Sequence, residues 1–463
     1  MVFSSLTFLF VFLPVLMAIY FAVPSKYIKA RNIVLLVFNL IFYAYGEPKN
    51  CLVMIVSIFM NYLFGVLVDK HRENEKQAKF WVFVAVLFNI GILIYFKYLE
   101  FIVENISSLF NAEITVQTIL KPIGISFFTF QGLSYVIDVY RGITNCQKSL
   151  FNVALYISLF PQLVAGPIVR YETIADEIDN RESNSADMAE GIRRFMVGFA
   201  KKLILANAIG QVADAFFNSP ISSLSVVGAW MGPIAYAFQI YFDFSAYSDM
   251  AIGLGKIFGF HFCENFNYPY ISQSITEFWR RWHISLSTWF RDYVYIPLGG
   301  NRCSKLRHLF NIFVVWLLTG IWHGAKWKFI FWGIYFGVIL ILEKTIILKY
   351  LKKAWRPIRH IYALILIVIG WAIFRAHDMG YFFGMLKTMF FVNGNPILND
   401  KTIYNLLEFK YAIIICAIAS LPLKDYILVK NEKTKYVLSF AVFIVAIVCM
   451  LSNSFNPFIY FRF

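Results

Sequence analysis

The chain has 463 residues, of which 59% are hydrophobic and only 15% are charged. Soluble domains average about 25% charged residues, so this composition excludes a water-soluble globule of this size. The net charge of +15 would favour nucleic-acid binding in a soluble protein. In a chain of apolar runs, basic loops on the cytoplasmic side of a membrane explain the charge instead, and we expect no nucleic-acid partner.

Long apolar runs recur along the chain. The clearest are residues 6–23, 33–45, 52–68, 80–96, 361–374 and 437–451. A span needs about 20 apolar residues, and several runs are shorter, which indicates tilted or re-entrant pieces. We predict an all-α, multi-pass membrane protein with about 11 to 13 membrane segments. No linker rich in Gly, Ser or Pro divides the chain, so residues 1–463 are predicted to form one membrane-embedded domain.

Two basic loops predict the orientation in the cell membrane. The loop 25–31 holds three cationic residues, and the loop 69–79 holds four. Two spans separate these loops, so both lie on one side, which the positive-inside rule identifies as cytoplasmic. The N-terminus is then expected outside the cell, with 6–23 as a retained first span. Glu100, Glu104 and Glu113 in the next stretch agree with an outward-facing loop.

Two carboxylates interrupt the apolar segment 241–260, YFDFSAYSDMAIGLGKIFGF. Asp243 and Asp249 would be costly at membrane depth without partners. We therefore expect structural roles for them, with Arg280, Arg281 or Arg291, or with backbone donors, as partners.

The segment 275–301, ITEFWRRWHISLSTWFRDYVYIPLGGN, combines aromatic and charged residues. Ser274 and Glu277 fit a capping box, which predicts one helix that runs on to the break at Pro297. Trp279 and His283 lie on its aromatic side, one helical turn apart. The segment is too polar for a lipid-exposed span, so it is either a structural interfacial helix or the wall of a cavity. The residues expected in such a wall are Trp279, Trp282, Arg280, Arg281 and Ser287.

His323 lies in a second segment, VVWLLTGIWHGAKW, with no other ionisable residue between Val314 and Lys326. An ionisable residue in such a setting is a functional hypothesis. A neutral imidazole in an apolar pocket can take a proton from a hydroxyl. A core histidine that donates to a backbone carbonyl would fit the same pattern. Gly320 and Gly324 beside it would allow a helix or a substrate to approach closely.

Other chemistries have weak signals. The six cysteines include no CxxC pair, which predicts neither a disulfide framework nor a metal site. The GxSxG and HExxH motifs are absent from the sequence. We expect no bound cofactor and no metal.

Several long motifs together resemble the membrane-bound O-acyltransferase superfamily. They are GISFFTFQGLSYVIDVYRG, PQLVAGPIVRY, FQIYFDFSAYSDMAIGLGKIFGF, ENFNYPYISQSITEFWRRWHISLSTWFRDYVYIPLGGN, LTGIWHGAKW and the tail NPFIYFRF. YIPLGGNR and the tail resemble the alginate O-acetyltransferase branch. The D-alanyl-lipoteichoic acid transfer branch is similar around FWRRWHISLSTWFRDYVY.

The resemblance implies a ring of spans around a central tunnel that joins a cytoplasmic acyl donor to an acceptor on the other side. The position of the family's essential histidine is His323, and its second histidine corresponds to His283. Trp322, next to His323, is then expected along the tunnel. The implied donor is an acyl thioester, either acetyl-CoA or an acyl carrier protein. The implied partner is an extracytoplasmic SGNH or esterase-like protein that completes transfer to a polysaccharide.

Three functions therefore stay open at the level of sequence. The first is O-acetylation of an extracytoplasmic polysaccharide, with His323 as general base. The second is transfer of D-alanine from a carrier-protein thioester to teichoic acid. The third is non-enzymatic transport, which would more often show two related halves, and the sequence shows no such repeat.

Overall fold

A computed structural model describes residues 1–111, 114, 119–422 and 431–452. Within these ranges helices are the only regular secondary structure, as predicted. Glu113 and the tail motif at 456–463 lie outside the described residues. The chain divides into two compact units, one formed by 1–196 with 247–263 and the other by 197–246 with 264–463. The prediction of a single membrane domain stays a prediction.

The N-terminal part of the chain is a series of helices joined by short loops, with π-helical turns at Phe8–Phe12 and Ile94–Tyr98. The α-helices are α1 (Leu13–Ala22), α2 (Ile28–Gly46), α3 (Pro48–Lys70), α4 (Glu75–Leu93), α5 (Leu99–Phe110), α6 (Ile125–Arg141), α7 (Leu150–Ser158), α8 (Phe160–Leu163), α9 (Tyr171–Asn180) and α10 (Ser185–Ala200).

Buried polar pairs join these helices. Asn61 on α3 and Asn89 on α4 exchange side-chain hydrogen bonds of 3.2 and 2.9 Å, and both residues are fully buried. Their donors are therefore satisfied without water, which a helix pair inside a membrane requires.

The C-terminal part contains π-helical turns at Lys201–Ala206, Arg291–Tyr295 and Glu343–Ile347 and 3-10 turns at Ile221–Ser223 and Pro269–Ile271. Its α-helices are α11 (Asn207–Phe217), α12 (Val226–Ile257), α13 (Ile275–Arg281), α14 (Ile284–Phe290), α15 (Lys305–His323), α16 (Trp327–Leu342), α17 (Leu348–Leu351), α18 (Arg356–Arg375), α19 (Met379–Met389), α20 (Asp400–Glu408), α21 (Lys410–Ala419) and α22 (Glu432–Ser452).

Seven of the described helical segments are long and apolar enough to cross a membrane, or eight if the bent pair 400–408 and 410–419 forms one span. They are Ile28–Gly46, Pro48–Lys70, Glu75–Phe110, Ser185–Phe217, Trp327–Leu351, Arg356–Arg375 and Glu432–Ser452. The predicted total of about 11 to 13 also counts shorter pieces, such as the apolar helix Phe8–Ala22. The chain is thus a multi-pass helical membrane protein.

The expected arginine partners of the two carboxylates on α12 are wrong. Asp243 Oδ1 lies 2.8 Å from Lys202 Nζ, and both side chains are at most 3% exposed. Asp249 pairs instead with Arg194 at 2.9 Å. Both cations belong to the helical stretch 185–217. Apolar and basic residues are mixed there without a pattern that predicts the partner of each basic side chain. The structural role of the two carboxylates stays a prediction.

Candidate active site

The N-terminus of α13 begins as the capping box predicts. The Ser274 hydroxyl accepts a hydrogen bond of 3.0 Å from the backbone N–H of Glu277. The Glu277 carboxylate reaches one residue beyond the usual position, because it accepts from the backbone N–H of Gln273 at 3.0 Å. These bonds satisfy backbone donors that would otherwise lack partners at a helix start.

A second carboxylate, from the π-helical turn that follows α16, completes this helix start. Glu343 is fully buried and accepts from the backbone N–H groups of Ile275 at 2.7 Å and Thr276 at 2.8 Å. The hydroxyls of Thr276 and Tyr362 also donate to it, at 2.6 and 3.2 Å. A negative charge is favourable at the positive end of a helix, so Glu343 fixes where α13 begins.

The predicted single helix over 275–296 is wrong, because the chain breaks at His283. Helix α13 ends at Arg281 and α14 begins at Ile284. His283 between them has a left-handed backbone, with φ 46° and ψ 55°. For a non-glycine residue that conformation costs about 1–2 kcal/mol, so surrounding contacts must hold it. The backbone carbonyl of Asn265 supplies one of them, because it accepts from Ile284 N at 3.0 Å.

The His283 imidazole is buried, with 2% of the residue exposed. Its Nδ1 lies 3.1 Å from Asn265 Oδ1, and its ring meets Phe244 edge-on with centroids 4.6 Å apart. Burial lowers the pKa of His283 to about 3, so the imidazole is neutral at physiological pH.

His323 is the last residue of α15, and three aromatic rings contact its imidazole. Trp322, Trp332 and Phe374 each meet its imidazole edge-on, with centroids 5.0 to 5.1 Å away. The predicted apolar setting is therefore present. Trp322 also contacts the ring of His283, with centroids 6.1 Å apart, so one indole ring touches both imidazoles.

The glycines beside His323 serve close packing between α15 and α16. A Cβ atom added to Gly320 would lie 2.4 Å from the carbonyl oxygen of Phe329. One added to Gly324 would lie 2.5 Å from the ring of the same residue. These contacts agree with the helix-packing interpretation of the two glycines.

Both histidines line one cavity of about 250 Å³ between α13, α14, α15 and α16. Thr319, Trp316 and Tyr295 contribute to the same wall. The Ser287 hydroxyl donates to the carbonyl of Trp279, and the exposed guanidinium of Arg291 pairs with Asp292 at 2.6 Å. The predicted residues that line this cavity are Trp279, Arg280, Trp282, His283, Ser287, Arg291 and His323.

The other predicted residues lie elsewhere. Arg281 points away, because its guanidinium binds Glu277 at 3.0 Å and the carbonyl of Asn267 at 3.2 Å. Trp322 packs behind the two histidine rings rather than in the wall. Asp243 and Asp249 belong to the ion pairs described above.

Two residues that support the site were not predicted from the sequence. Glu343 could have been found, because it is an isolated acid after an apolar run, the same signal that drew attention to Asp243. Asn265 gave no such signal, because a polar residue in the loop ENFNYPY looks solvated until tertiary structure places it at His283.

The sequence profile of the membrane-bound O-acyltransferase family matches residues 147–374, which include the whole cavity wall. The chain is 42% identical over 421 residues to the probable alginate O-acetylase AlgI of Azotobacter vinelandii, covering 90% of this chain and 83% of that protein. It is 33% identical over 434 residues to the peptidoglycan O-acetyltransferase of Helicobacter pylori, covering 85% and 80%.

A more distant relative has a different named activity. The teichoic acid D-alanyltransferase of Bacillus subtilis is 31% identical over 264 residues, which is 54% of this chain and 66% of that protein. The long, high-identity matches and the family profile agree with the helical membrane architecture. This chain belongs to the membrane-bound O-acyltransferase family and is a multi-pass membrane O-acyltransferase.

Proposed function

We propose that this enzyme moves an acetyl group from a cytoplasmic thioester to a hydroxyl, for O-acetylation of an extracytoplasmic polysaccharide at the cell membrane. The observation that carries the proposal is the joint presence of His283 and His323 in one cavity within the family match. Relatives with similar length are named alginate O-acetylase and peptidoglycan O-acetyltransferase, which supports acetyl transfer to a polymer.

His323 is the proposed general base. Three aromatic rings contact its imidazole and the residue is half-buried, so the ring is held in an apolar setting. As the acceptor hydroxyl oxygen attacks the thioester carbonyl carbon, His323 takes the hydroxyl proton. The C–S bond then breaks, and His323 returns that proton to the departing thiolate. The ester and a free thiol are the products, and the histidine ends in its starting form.

The cavity wall supplies complementary surfaces for the donor. Trp279 and Trp282 offer apolar area for the acyl group and its arm. Arg280 is exposed and, with Arg291, brings positive charge to the same wall. Thioester carriers, whether coenzyme A or an acyl carrier protein, bear phosphate, which arginine binds well. We propose that these arginines face the donor's phosphate.

The proposed route ends outside the cell. The first acceptor is a serine hydroxyl on an extracytoplasmic SGNH or esterase-like partner, which passes the acetyl group to the polymer. The motifs shared with the alginate O-acetyltransferase branch support this relay. A coupled assay with such a partner would detect acetyl groups on its serine before they appear on polymer.

Purified enzyme in detergent or nanodiscs tests the catalytic assignment. Release of thiol from an acetyl thioester is measured in the presence of a hydroxyl acceptor. We expect His323→Ala to abolish transfer and His283→Ala to retain part of it, while His71→Ala, outside the cavity, behaves as wild type. Wild-type transfer by His323→Ala would contradict the assignment of His323 as general base. If His283→Ala abolished transfer and His323→Ala retained part of it, the roles of the two histidines would be exchanged.

The D-alanyl alternative is tested in the same assay. The partial match to teichoic acid D-alanyltransferases is its support. A D-alanyl thioester on a carrier protein replaces the acetyl donor. Faster turnover of the D-alanyl donor would select that alternative, and faster turnover of the acetyl donor would select acetylation.

A further inference from the structure

The buried side chain of Asn265 contacts three groups through one oxygen. Asn265 Oδ1 lies 3.2 Å from the backbone nitrogen of Ser285, 2.9 Å from the Ser285 hydroxyl and 3.1 Å from His283 Nδ1. Asn265 is fully buried, and its backbone carbonyl holds the turn at Ile284 N, so these positions are fixed relative to one another.

These contacts determine which nitrogen of His283 carries the proton. The backbone N–H of Ser285 can only donate, so the amide atom facing it must be the oxygen. That oxygen can only accept, so His283 Nδ1 must carry the hydrogen that points to it. A neutral imidazole has a single N–H group, and Nε2 is therefore left with a lone pair.

The lone pair on Nε2 is available to accept a hydrogen bond. Nε2 of His283 is buried and has no hydrogen-bond partner among the described residues. Burying a polar atom without a partner costs about 1–3 kcal/mol, so such an atom needs an explanation. His283 lines the cavity and Asn265 does not, and Nε2 lies on the side of the ring away from the contact between Nδ1 and Asn265.

We propose that Asn265 is a positioning residue that holds His283 as the Nδ1–H tautomer, so that Nε2 accepts a hydrogen bond from an N–H or O–H group of bound substrate. The inference rests on the proposed acyl transfer and gives His283 a role distinct from that of His323. His283 then orients substrate as a neutral acceptor, while His323 moves the proton.

Two substrate groups have the required chemistry, and kinetics separates them. One is the hydroxyl of the acceptor, and the other is an amide N–H in the arm of the thioester carrier. The His283→Leu variant is expected to lose about tenfold in kcat/KM, which corresponds to one hydrogen bond of about 1.4 kcal/mol. If the loss appears with the acceptor varied, the hydroxyl is the donor of the hydrogen bond. If the KM for the thioester rises instead, the amide N–H of the carrier is the donor of the hydrogen bond. Unchanged kcat/KM for both substrates would contradict the proposal.

A glutamine at the same position separates acceptance from proton transfer. His283→Gln places a neutral amide oxygen near the former site of Nε2. Recovery of activity above that of His283→Leu supports a role as hydrogen-bond acceptor. If the activity of His283→Gln were no higher than that of His283→Leu, His283 would not act as a hydrogen-bond acceptor.

The tautomer is measured directly by nitrogen-15 NMR of protein labelled at histidine, with the His283 signal identified by its loss in His283→Gln. We expect Nδ1 to be protonated and Nε2 bare in wild type and in Ser285→Ala, which removes another contact of the same oxygen. Asn265→Asp should keep the Nδ1–H bond and make the imidazole easier to protonate.

Protonation of Nε2 instead of Nδ1 in wild-type protein would overturn the inference. This spectrum needs no acyl transfer, so a failed tautomer assignment is distinguishable from a failed function. If Asn265→Leu folds, its tautomer population should shift and its transfer rate should fall. An unchanged spectrum in that variant would also contradict the role of Asn265.

Discussion

At the scale of single residues, the two cavity histidines are held in different ways. His283 is fixed by a hydrogen bond to Asn265 and by an unusual backbone conformation. His323 ends a helix and is enclosed by aromatic rings. The first arrangement fixes the direction of a lone pair, whereas the second surrounds the imidazole with apolar rings. The histidines are therefore not interchangeable.

Burial of His283 should make folding stability depend on pH. Its pKa falls from 6.5 to about 3 in the folded protein, so the unfolded chain binds the proton more tightly. The free energy of unfolding therefore carries no penalty from His283 above pH 6.5. It decreases as the pH falls towards 3, by up to about 1.4 kcal/mol per pH unit.

Thermal unfolding of purified protein between pH 4 and 7 measures the effect. The stability of His283→Gln should fall less steeply with acid than that of wild type, and His71→Ala should follow wild type. Parallel curves for wild type and His283→Gln would contradict a neutral buried His283.

The buried pair of Lys202 and Asp243 should matter more than an exposed pair. Asp243→Asn leaves the buried ammonium of Lys202 without this carboxylate, which typically costs about 3–5 kcal/mol. Glu432→Gln breaks an exposed pair with Lys435 and should cost less than about 1 kcal/mol. Unfolding midpoints in detergent compare the two variants. Equal midpoints would show that the Lys202–Asp243 pair contributes no more than a surface contact.

Sequence alone located the key residues better than their partners. Isolated ionisable residues in apolar runs drew attention to His323, Asp243 and Asp249 because burial of charge is costly. The partners Lys202 and Arg194 come from a distant stretch of chain, and only tertiary folding brings them close.

Among the helices, α13 contributes Thr276, Trp279 and Arg280 to the cavity wall, and its position depends on its first turn. Trp282 follows directly after its last residue. Glu343, at the C-terminal end of α16, binds two backbone N–H groups there, so it couples the placement of Trp279 to a neighbouring helix. A change at Glu343 should therefore reach the cavity although Glu343 does not line it.

Glu343→Gln tests this coupling. The variant keeps one acceptor oxygen but turns an NH₂ group towards backbone donors, which should cost about 1–3 kcal/mol for each group left unsatisfied. We expect a lower unfolding midpoint and weaker acyl transfer. Tyr362→Phe removes only one donor to the same carboxylate, a 3.2 Å bond, and should have a smaller effect. A milder effect of Glu343→Gln than of Tyr362→Phe would contradict the coupling.

The pattern in 275–301 predicted a helix start but not the break within it. The capping box has a local signature, and Ser274 and Glu277 occupy it as expected. The break at His283 has none, because the left-handed backbone of His283 depends on contacts with Asn265, 18 residues earlier in the chain. Trp279 and His283 nevertheless line the same cavity.

At the scale of the whole molecule, length and apolar content determined the class of protein correctly. The helices and the family relationship agree with that class. The number of segments was harder to predict, because apolar helices of 10–17 residues and bent pairs look alike in sequence. The shared motifs predicted acyl transfer, whereas the composition indicated only that the chain is a membrane protein.

The orientation of the chain is a separate prediction. Basic loops at 25–31 and 69–79 should face the cytoplasm. In a background with the native cysteines replaced, Lys26→Cys and Lys76→Cys should resist a membrane-impermeant maleimide in intact cells and react after permeabilisation. Leu120→Cys, in the loop predicted to face outward, serves as the opposite control. Labelling of Lys26→Cys and Lys76→Cys, but not Leu120→Cys, in intact cells would reverse the orientation.

We propose that His323 drives O-acetylation of a polysaccharide outside the cell. The most direct measurement is the O-acetyl content of that polymer in cells that lack the enzyme and express either wild type or His323→Ala at equal membrane levels. Acetylation should return with wild type and with His71→Ala but not with His323→Ala. Full acetylation in cells with His323→Ala would contradict the account.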